Sequence, residues 1–339
     1  MLGIRRRIRA VSRRLVRKAW RKPAPTILMY HRIAEPPYDP WGLAVSPAFF
    51  ADQLRSLTRS RELVHMDRLV EGLRRGGLTG KEVAITFDDG YVDNLTTGKP
   101  ILERAEAPAT VFITTDRLGA AREFWWDELA HMCLGGTAAI DAGFEIAGRR
   151  LHVSLPARTA AVSSDWFWSD PPTGDRERMY LMLWKTLQRL DDGTREAAMQ
   201  TLRAQFGEPL APAASLPMRR EDVGTLMAGG LIRVGGHSHA HLPLTTLSAD
   251  AKRHQIEQCK RELEELTQSS VSGFAYPFGD RDDEAKALTK GAGYCWAVST
   301  HSAVVDARDC DLFDLPRLQA MNWTGSELMR RLTDLGQAP

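Results

Sequence analysis

Short apolar runs alternate with amphipathic helical patterns along most of this 339-residue chain. Each run has the length of a buried strand, and the runs lie at residues 26–31, 83–87, 109–113, 231–236, 273–276 and 295–298. The clearest helical patterns begin at Ser46-Pro47 and at Ser248, which are typical helix-starting residues. Strands that alternate with helices predict a parallel α/β sheet or barrel, in which functional groups gather at the carboxyl ends of the strands.

Two polar clusters directly follow predicted strands. Asp88 and Asp89 stand side by side, and His237, His239 and His241 fall within five residues. Adjacent carboxylates at an apolar strand repel each other and lose hydration, so the pair is costly unless a cation neutralises it. Two histidines four residues apart and one carboxylate supply three ligands and leave a position open, as in a catalytic zinc-type site. Alone, each cluster is also consistent with a turn or a solvated loop; together they predict metal-assisted hydrolysis, with the remaining aspartate as base.

Residues 121–220 interrupt the alternation of strands and helices. They contain a tryptophan-rich start, a loop rich in Ser, Asp and Pro, and helical patterns near 176–192 and 194–206. We expect a mostly helical insertion that covers the site. Trp125 and Trp126 are candidates for contact with a sugar, because flat aromatic faces suit sugar rings, although burial in a core is the commoner use of such residues.

The N-terminal segment is strongly basic. Residues 1–22 contain ten Arg and Lys and no Asp or Glu, which leaves 35 basic against 43 acidic residues in the rest of the chain. An acidic body disfavours a nucleic-acid partner. Apolar residues recur at helical spacing in the segment, at Ile4, Ile8, Val11 and Leu15. The pattern predicts a basic amphipathic helix within residues 1–25, which lies on an anionic membrane surface, packs on the protein, or serves as a disordered leader.

Cysteine usage and apolar runs bear on the location of the protein. The four cysteines form no Cys-X-X-Cys pair, which argues against a disulfide framework and against a thiolate metal site. The sequence has no run of about 18 apolar residues, and no apolar signal-peptide region follows the basic start. We therefore expect a cytoplasmic protein, with peripheral contact between residues 1–22 and the inner membrane face as a further expectation.

The motifs TFDDG (86–90) and HSHAH (237–241) resemble the first two motifs of the polysaccharide deacetylases, the NodB-homology group of carbohydrate esterase family four. Segments 28–32, 274–279, 293–294 and 315–317 resemble further elements of the same family. The resemblance covers about residues 26–120 and 220–335. It implies a distorted (β/α) barrel of the NodB-homology type over residues 26–335, into which residues 121–220 are inserted.

The resemblance also implies roles for individual residues. Asp89, His237 and His241 would ligate a divalent metal ion, most often Zn²⁺, and Asp88 would be the general base. The metal would polarise an acetyl carbonyl and lower the pKa of bound water. A backbone N–H near Phe278 would help to stabilise the oxyanion. Tyr276, in the same motif as Phe278, is a further candidate for substrate contact.

The sequence departs from the family pattern at two points. Many members have an arginine in the third motif that orients the base, whereas this chain has Ala275; Arg317 is the candidate to replace it from another strand. The usual C-terminal motif with a general-acid histidine is not visible after Arg317. A branch resembling poly-N-acetylglucosamine deacetylases uses a histidine from the N-terminal strand, and His31 fits that place. A buried histidine held by a backbone partner is the alternative for His31.

The sequence as a whole therefore predicts a metal-dependent hydrolase that acts on linear amides rather than peptide bonds. Its substrate would be an N-acetylated sugar in a polysaccharide, an oligosaccharide or a lipid-linked precursor. An O-acetyl esterase or a deformylase acting on a lipid-linked sugar are alternatives that would use the same metal and base. A non-catalytic carbohydrate-binding relative is a third alternative. It should have lost a ligand or the base, whereas all four residues are present.

Overall fold

A parallel sheet organises the molecule. The computed structural model describes residues 23–146, 148–157, 162–163, 165–209 and 212–336, so residues 1–22 of the predicted basic helix lie outside the described residues. The strands are, in chain order, β1 (Thr26–Tyr30), β2 (Arg32–Ile33), β3 (Ala44–Val45), β4 (Glu62–Leu63), β5 (Glu82–Phe87), β6 (Ala109–Ile113), β7 (Ile140–Ile146), β8 (Arg149–Leu155), β9 (Ile232–Gly236), β10 (Gly273–Ala275), β11 (Trp296–Val298) and β12 (Leu318–Gln319). The spatial order in the main sheet is β11-β10-β9-β6-β5-β1-β12, and β4 pairs with β5.

The main sheet curls into the predicted distorted (β/α) barrel. Its strand pairings are parallel throughout the described residues. A parallel bridge between Val298 and Leu315 connects β11 to the segment that leads into β12, so the two edges of the sheet approach each other. Every residue of β1, β5 and β6 is buried. Continuous apolar runs therefore correspond to strands covered on both faces, as expected for a parallel sheet.

Helices surround the sheet, and two of them begin at Ser46 and Ser248, as the sequence predicts. Ser46 accepts a hydrogen bond from the Phe49 N–H, and Ser248 accepts one from the Ala251 N–H, so both serine residues cap their helices. The helices are Pro47–Thr58, Met66–Arg75, Lys99–Arg104, Trp125–Ala130, Asp175–Leu187, Asp192–Phe206, Arg220–Met227, Ala249–Thr267, Asp283–Gly291 and Gly325–Leu335. Within the described residues, no helix combines the length and the apolar character needed to cross a membrane.

The insertion contains an element that the sequence analysis missed. Besides its helices, it has an antiparallel hairpin of β7 and β8, in which Ile140 pairs with Leu155 and Ile146 with Arg149. The hairpin buries every second residue towards its end, which is a two-residue period that a helical prediction overlooks. Its buried side chains join those of the neighbouring helices in a hydrophobic cluster separate from the barrel core.

Candidate active site

The two polar clusters lie at adjacent points of the barrel rim. Strand β6 pairs with both β5 and β9, so the residues that follow these two strands come close together. Gly235 and Gly236 end β9, where a Cβ atom would collide with the Phe112 ring or the Tyr294 hydroxyl. The sequence therefore needs two glycines immediately before the histidine cluster, because no larger residue fits the packing there.

The loops that follow the strands have an unusual backbone conformation. Asp89, Ser238 and His241 have φ angles of 74°, 63° and 52°, respectively. Positive φ is uncommon for residues other than glycine and costs free energy. The hydrogen bond from the Thr114 N–H to the Asp89 carbonyl and the one from the Thr115 N–H to the Ser238 carbonyl help to hold both loops in place. The geometry of the clustered side chains is therefore imposed by the surrounding fold.

Asp89, His237 and His241 converge on one point, and we call them the triad. Asp89 Oδ1 lies 3.4 Å from His237 Nε2 and 3.3 Å from His241 Nε2. All three residues are buried, and one ligand atom from each lies within 4.8 Å of the others. The Asp89 Oδ1 atom is buried without a hydrogen-bond partner among the described residues, as expected of an atom that accepts a cation. The triad therefore fits a divalent metal ion.

The tautomer of His237 and the protonation states of Asp89 and His241 also suit a metal ion. The Nδ1 atom of His237 lies 2.8 Å from the Ala275 carbonyl oxygen, so Nδ1–H donates there and leaves Nε2 free to ligate. Burial lowers the pKa of His241 to about 4, which keeps its imidazole neutral near pH 7. Burial alone would raise the pKa of Asp89, but the imidazoles of His237 and His241 beside it outweigh burial and lower that pKa well below its ordinary range. These are the forms of carboxylate and imidazole that bind metals.

Asp88 forms a buried ion pair with Arg317 beside the triad. The two carboxylate oxygens of Asp88 each lie 2.7 Å from a guanidinium nitrogen of Arg317. The guanidinium also donates to the Ser299 carbonyl at 2.9 Å and to the Thr86 hydroxyl at 3.1 Å. Burial raises the pKa of Asp88, but the positive charge of Arg317 outweighs it and holds that pKa below its ordinary value. Asp88 is therefore an ionised carboxylate whose Oδ2 lies 4.0 Å from His237 Nε2.

His31 directly follows β1 and lines one cavity together with Asp88 and the triad. Its backbone carbonyl accepts a hydrogen bond from the Asn94 side chain at 2.8 Å. Its Nδ1 atom is buried and has no hydrogen-bond partner among the described residues. The alternative in which a backbone partner holds the imidazole therefore finds no support at Nδ1.

A cavity of about 540 Å³ opens above these groups. Asp88, His31 and the triad lie on its floor, and Trp126 and Phe278 contribute to its walls. The centroid of the His241 ring lies 4.5 Å from that of Phe278 and 4.9 Å from that of Trp126. A cavity of this size is in the range of about 300–1,000 Å³ that holds single small molecules.

Two residues expected at the substrate are placed elsewhere by the structure. Tyr276 is fully buried in the barrel core, and its hydroxyl donates to the Phe313 carbonyl at 3.0 Å. Trp125 does not line the cavity; its ring packs against the rings of Trp126 and Trp184. Successive residues of a helix point about 100° apart, and here only Trp126 of the two neighbouring tryptophans lines the cavity. Phe278 and Trp126 are thus the lining members of the two aromatic pairs, and substrate contact by any of the four residues stays a prediction.

The sequence model of one protein family, described as polysaccharide deacetylase, matches residues 75–142 and 191–297. These residues are just over half of the chain and include both the Asp-Asp and the histidine motif. The chain belongs to the polysaccharide deacetylase family. Members of this family are hydrolases that act on amide bonds of acetylated carbohydrates and generally use a divalent metal ion, and the triad of this member is compatible with one.

Solved structures show that this deacetylase family member shares the fold of known deacetylases. It is similar to the Streptococcus pyogenes deacetylase PplD in complex with acetate, with 17% identity, coverage of 92% of this chain and 99% of that one, and a TM-score of 0.55. It is also similar to IcaB from Ammonifex degensii, with 17% identity, coverage of 93% of this chain and 98% of that one, and a TM-score of 0.54. A de-N-acetylase from Aggregatibacter actinomycetemcomitans is 13% identical, with coverage of 91% of this chain and 99% of that one and a TM-score of 0.55. Among curated proteins, no relative matches the sequence.

A hydrogen-bonded network that the sequence analysis missed fixes Trp126 in this family member. The Trp126 Nε1–H donates to the Tyr91 hydroxyl at 2.8 Å, and that hydroxyl donates to the Asp127 carboxylate at 2.7 Å. The Arg32 guanidinium lies 3.9 Å from Asp127 and forms a 3.0 Å ion pair with Asp93. Burial raises the pKa of Asp127 to about 7. Only the position of Tyr91 directly after the Asp-Asp-Gly motif hinted at this network in the sequence.

A second missed feature is the aromatic wall of the cavity. Trp41, Trp168 and Trp184 line the cavity together with Phe167. The abundance of tryptophan, nine residues in the chain, was the available signal. Which tryptophans meet could not be read from the sequence, because Trp41 lies before the first motif and the others lie within the insertion.

Proposed function

We propose that this protein is a metal-dependent deacetylase that removes N-acetyl groups from an acetylated sugar. The observation that supports this most strongly is the Asp88–Arg317 ion pair beside the triad. An ionised carboxylate that does not belong to the triad, held next to a three-ligand metal site, has the arrangement needed to activate water. Family membership supports the same class of reaction.

The residues have separate roles in the proposed reaction. Asp89, His237 and His241 hold the divalent cation, for which Zn²⁺ is our proposal because two imidazoles and one carboxylate are common zinc ligands. A cation bound there would supply an electrophile for the acetyl carbonyl and would lower the pKa of a water molecule. Asp88 is the proposed acceptor of a proton from water, and Arg317 holds the Asp88 carboxylate in place.

The departing amine needs a proton, and His31 is the group that we propose to deliver it. His31 lines the same cavity as Asp88 and the triad, so its imidazole is on the side from which a substrate would enter. A positioned general acid contributes about 10²- to 10⁴-fold to the rate. A backbone N–H near Phe278 is the proposed donor to the oxyanion, and the rings of Phe278 and Trp126 flank the acetylated sugar.

The proposed domain organisation has a deacetylase barrel at residues 26–335, interrupted by the insertion at about 121–220. Residues 1–22, with ten basic residues at one end of an otherwise acidic chain, are proposed to contact an anionic membrane surface. This proposal rests on the sequence pattern. It favours a cytoplasmic protein whose acetylated substrate is assembled at the inner membrane face.

The test is a screen of acetylated glycans and lipid-linked sugars, in which released acetate is measured with zinc-loaded protein. We expect acetate from at least one N-acetylated sugar and none after chelation. Asp88→Asn keeps the size of the side chain and removes the base, so it is the matched control. Acetate release by Asp88→Asn at the wild-type rate, or tight sugar binding by the wild type without acetate release, would contradict the proposal.

A further inference from the structure

Three tryptophans form a continuous stack along one wall of the cavity. The ring centroids of Trp184 and Trp41 are 4.1 Å apart, and those of Trp41 and Trp168 are 5.1 Å apart with an interplanar angle of 20°. At the inner end, the ring centroids of Trp184 and Phe278 are 6.2 Å apart, and the Phe278 ring contacts the triad residue His241. At the outer end, Trp168 has 44% of its surface exposed. The stack therefore leads from the metal site to the mouth of the cavity.

Hydrogen bonds position the Trp41 indole and the backbone of Trp41 and Trp168. The Trp41 Nε1–H donates to the Tyr180 hydroxyl at 2.7 Å. The backbone N–H of Trp168 donates to the Pro40 carbonyl at 2.9 Å, and the Gln319 amide donates to the Trp41 carbonyl at 3.2 Å. A wall that is already ordered loses little conformational entropy on binding, so its contacts contribute more fully to affinity. Burial of an exposed indole at a cavity mouth is a further source of affinity.

The chemistry of the cavity indicates what the wall binds. Outside Asp88, His31 and the triad, the described lining residues carry no charge, and their polar members are Gln188, Thr300 and Gln319. A phosphate or carboxylate would have no cationic partner there. A purely apolar chain would remove water from the polar side chains of these three residues and would offer no hydrogen bonds in its place. A neutral sugar ring has an apolar C–H face for the indoles and hydroxyls for the polar groups.

The three tryptophans of the wall lie outside the residues that match the family pattern. The family match ends at residue 142 and resumes at residue 191. Trp168 and Trp184 lie in that gap, and Trp41 precedes the match. The groups that hold the reacting atoms lie within the match, apart from His31 and Arg317. The segment between 142 and 191 contributes Trp168 and Trp184 to the cavity wall and contains none of the residues that we propose to carry out the reaction.

We propose that Trp41, Trp168 and Trp184 form a subsite for an uncharged sugar ring that adjoins the N-acetylated sugar. This inference rests on the proposed function and narrows its substrate class to a neutral oligosaccharide or the end of a neutral glycan chain. Trp168 contacts the ring next to the reacting sugar, at the mouth of the cavity. Removal of the Trp168 indole weakens binding of substrates with two or more rings and leaves binding of a single sugar unchanged.

The test compares Trp168→Ala, Trp168→Phe and Met182→Ala in the zinc-loaded full chain. Met182 is the matched control, because it is 39% exposed on a helix of the same insertion and does not line the cavity. Calorimetry measures the Kd of methyl glycosides and of di- and trisaccharides of N-acetylglucosamine, N-acetylgalactosamine and N-acetylmannosamine. Asp88→Asn is present in each protein so that no acetate is released. Circular dichroism checks that each variant folds.

Trp168→Ala should weaken oligosaccharide binding by about 3- to 10-fold, the range expected for one aromatic stacking contact. Trp168→Phe should restore most of the loss, and Met182→Ala should bind as the parent does. With Asp88 intact, the KM of Trp168→Ala for the oligosaccharide should rise by the same factor. Equal Kd values of Trp168→Ala and its parent for the oligosaccharides would overturn the inference. It would also be overturned if no sugar binds and the protein instead binds farnesol, an apolar chain, in a way that depends on Trp168. Sugar binding that depends on Trp168 in a protein that releases no acetate would support the subsite and reject the proposed reaction.

Discussion

The ion pair between Asp88 and Arg317 offers the most informative perturbation, Arg317→Met. Arg317 is fully buried, and the change removes the only guanidinium that contacts Asp88 among the described residues while keeping an unbranched side chain. Breaking a buried pair by removing one partner costs about 3–5 kcal/mol, because the remaining charge stays in a poorly solvated place. The Ser299 carbonyl and the Thr86 hydroxyl also lose a donor, so the upper half of that range is expected.

The contribution of the pair itself follows from a double-mutant cycle with Asp88→Asn. Each single change leaves one charge buried without its partner, whereas the double variant leaves neither. The double variant should therefore be more stable than the sum of the two losses predicts, by about 1–3 kcal/mol. Urea unfolding near pH 7, followed by tryptophan fluorescence, measures the free energies. Strict additivity would refute the reasoning.

The same variant should change the pH profile in a defined direction. In the wild type the pKa of Asp88 lies below its ordinary value of 3.8, so the stability that the pair contributes is present at neutral pH and is lost as the pH falls through that lowered pKa. Without Arg317, the largest influence that opposes burial among the described residues is removed and the pKa of Asp88 rises. The acid limb of kcat/KM should then move to higher pH, with a larger loss at pH 6 than at pH 9. An unchanged limb would show that Asp88 is not the base or that Arg317 does not tune it.

Three further perturbations give distinct outcomes. His241→Ala should abolish zinc binding and acetate release while far-ultraviolet circular dichroism stays unchanged; full zinc content would place the metal elsewhere. His31→Ala should reduce kcat by about 10²- to 10⁴-fold with zinc content unchanged, and equal loss of both would indicate a structural role. Burial raises the pKa of Asp127 from 3.8 to about 7 in the folded protein. The free energy of unfolding of the wild type therefore falls as the pH rises from about 4 to 7. The Tm of Asp127→Asn relative to that of the wild type should therefore increase between pH 5 and pH 8. A Tm difference that stays constant over this range would argue against a raised pKa.

The barrel and the metal triad were within reach of the sequence because both depend on local patterns. Apolar runs and helix-capping serines such as Ser46 and Ser248 set the elements, and the order of strands brings their ends together. Asp89, His237 and His241 lie within five residues of the ends of β5 and β9, so the order of strands already places them near one another. The position of Arg317 was also anticipated, since the missing arginine of the third motif left the base without a partner.

The walls of the site depend on contacts that no local pattern encodes. Trp41 meets Trp168 and Trp184 only because the insertion folds back over the barrel, and the sequence does not show which faces of the insertion do so. The same limit explains Tyr276 and Trp125, whose motifs suggested proximity to the substrate but whose rings point into packed regions. A two-residue period in a short, mostly polar segment such as the β7–β8 hairpin is likewise too weak a signal to outweigh neighbouring helical patterns.

The most direct test of the central claim is a crystal of the zinc-loaded protein measured on both sides of the zinc absorption edge. The account predicts one strong anomalous peak within about 2.0–2.2 Å of a carboxylate oxygen of Asp89 and of the Nε2 atoms of His237 and His241, with Asp88 outside the coordination sphere. A fully loaded crystal whose peak lies elsewhere, or in which Asp88 replaces Asp89 as the ligand, would contradict it.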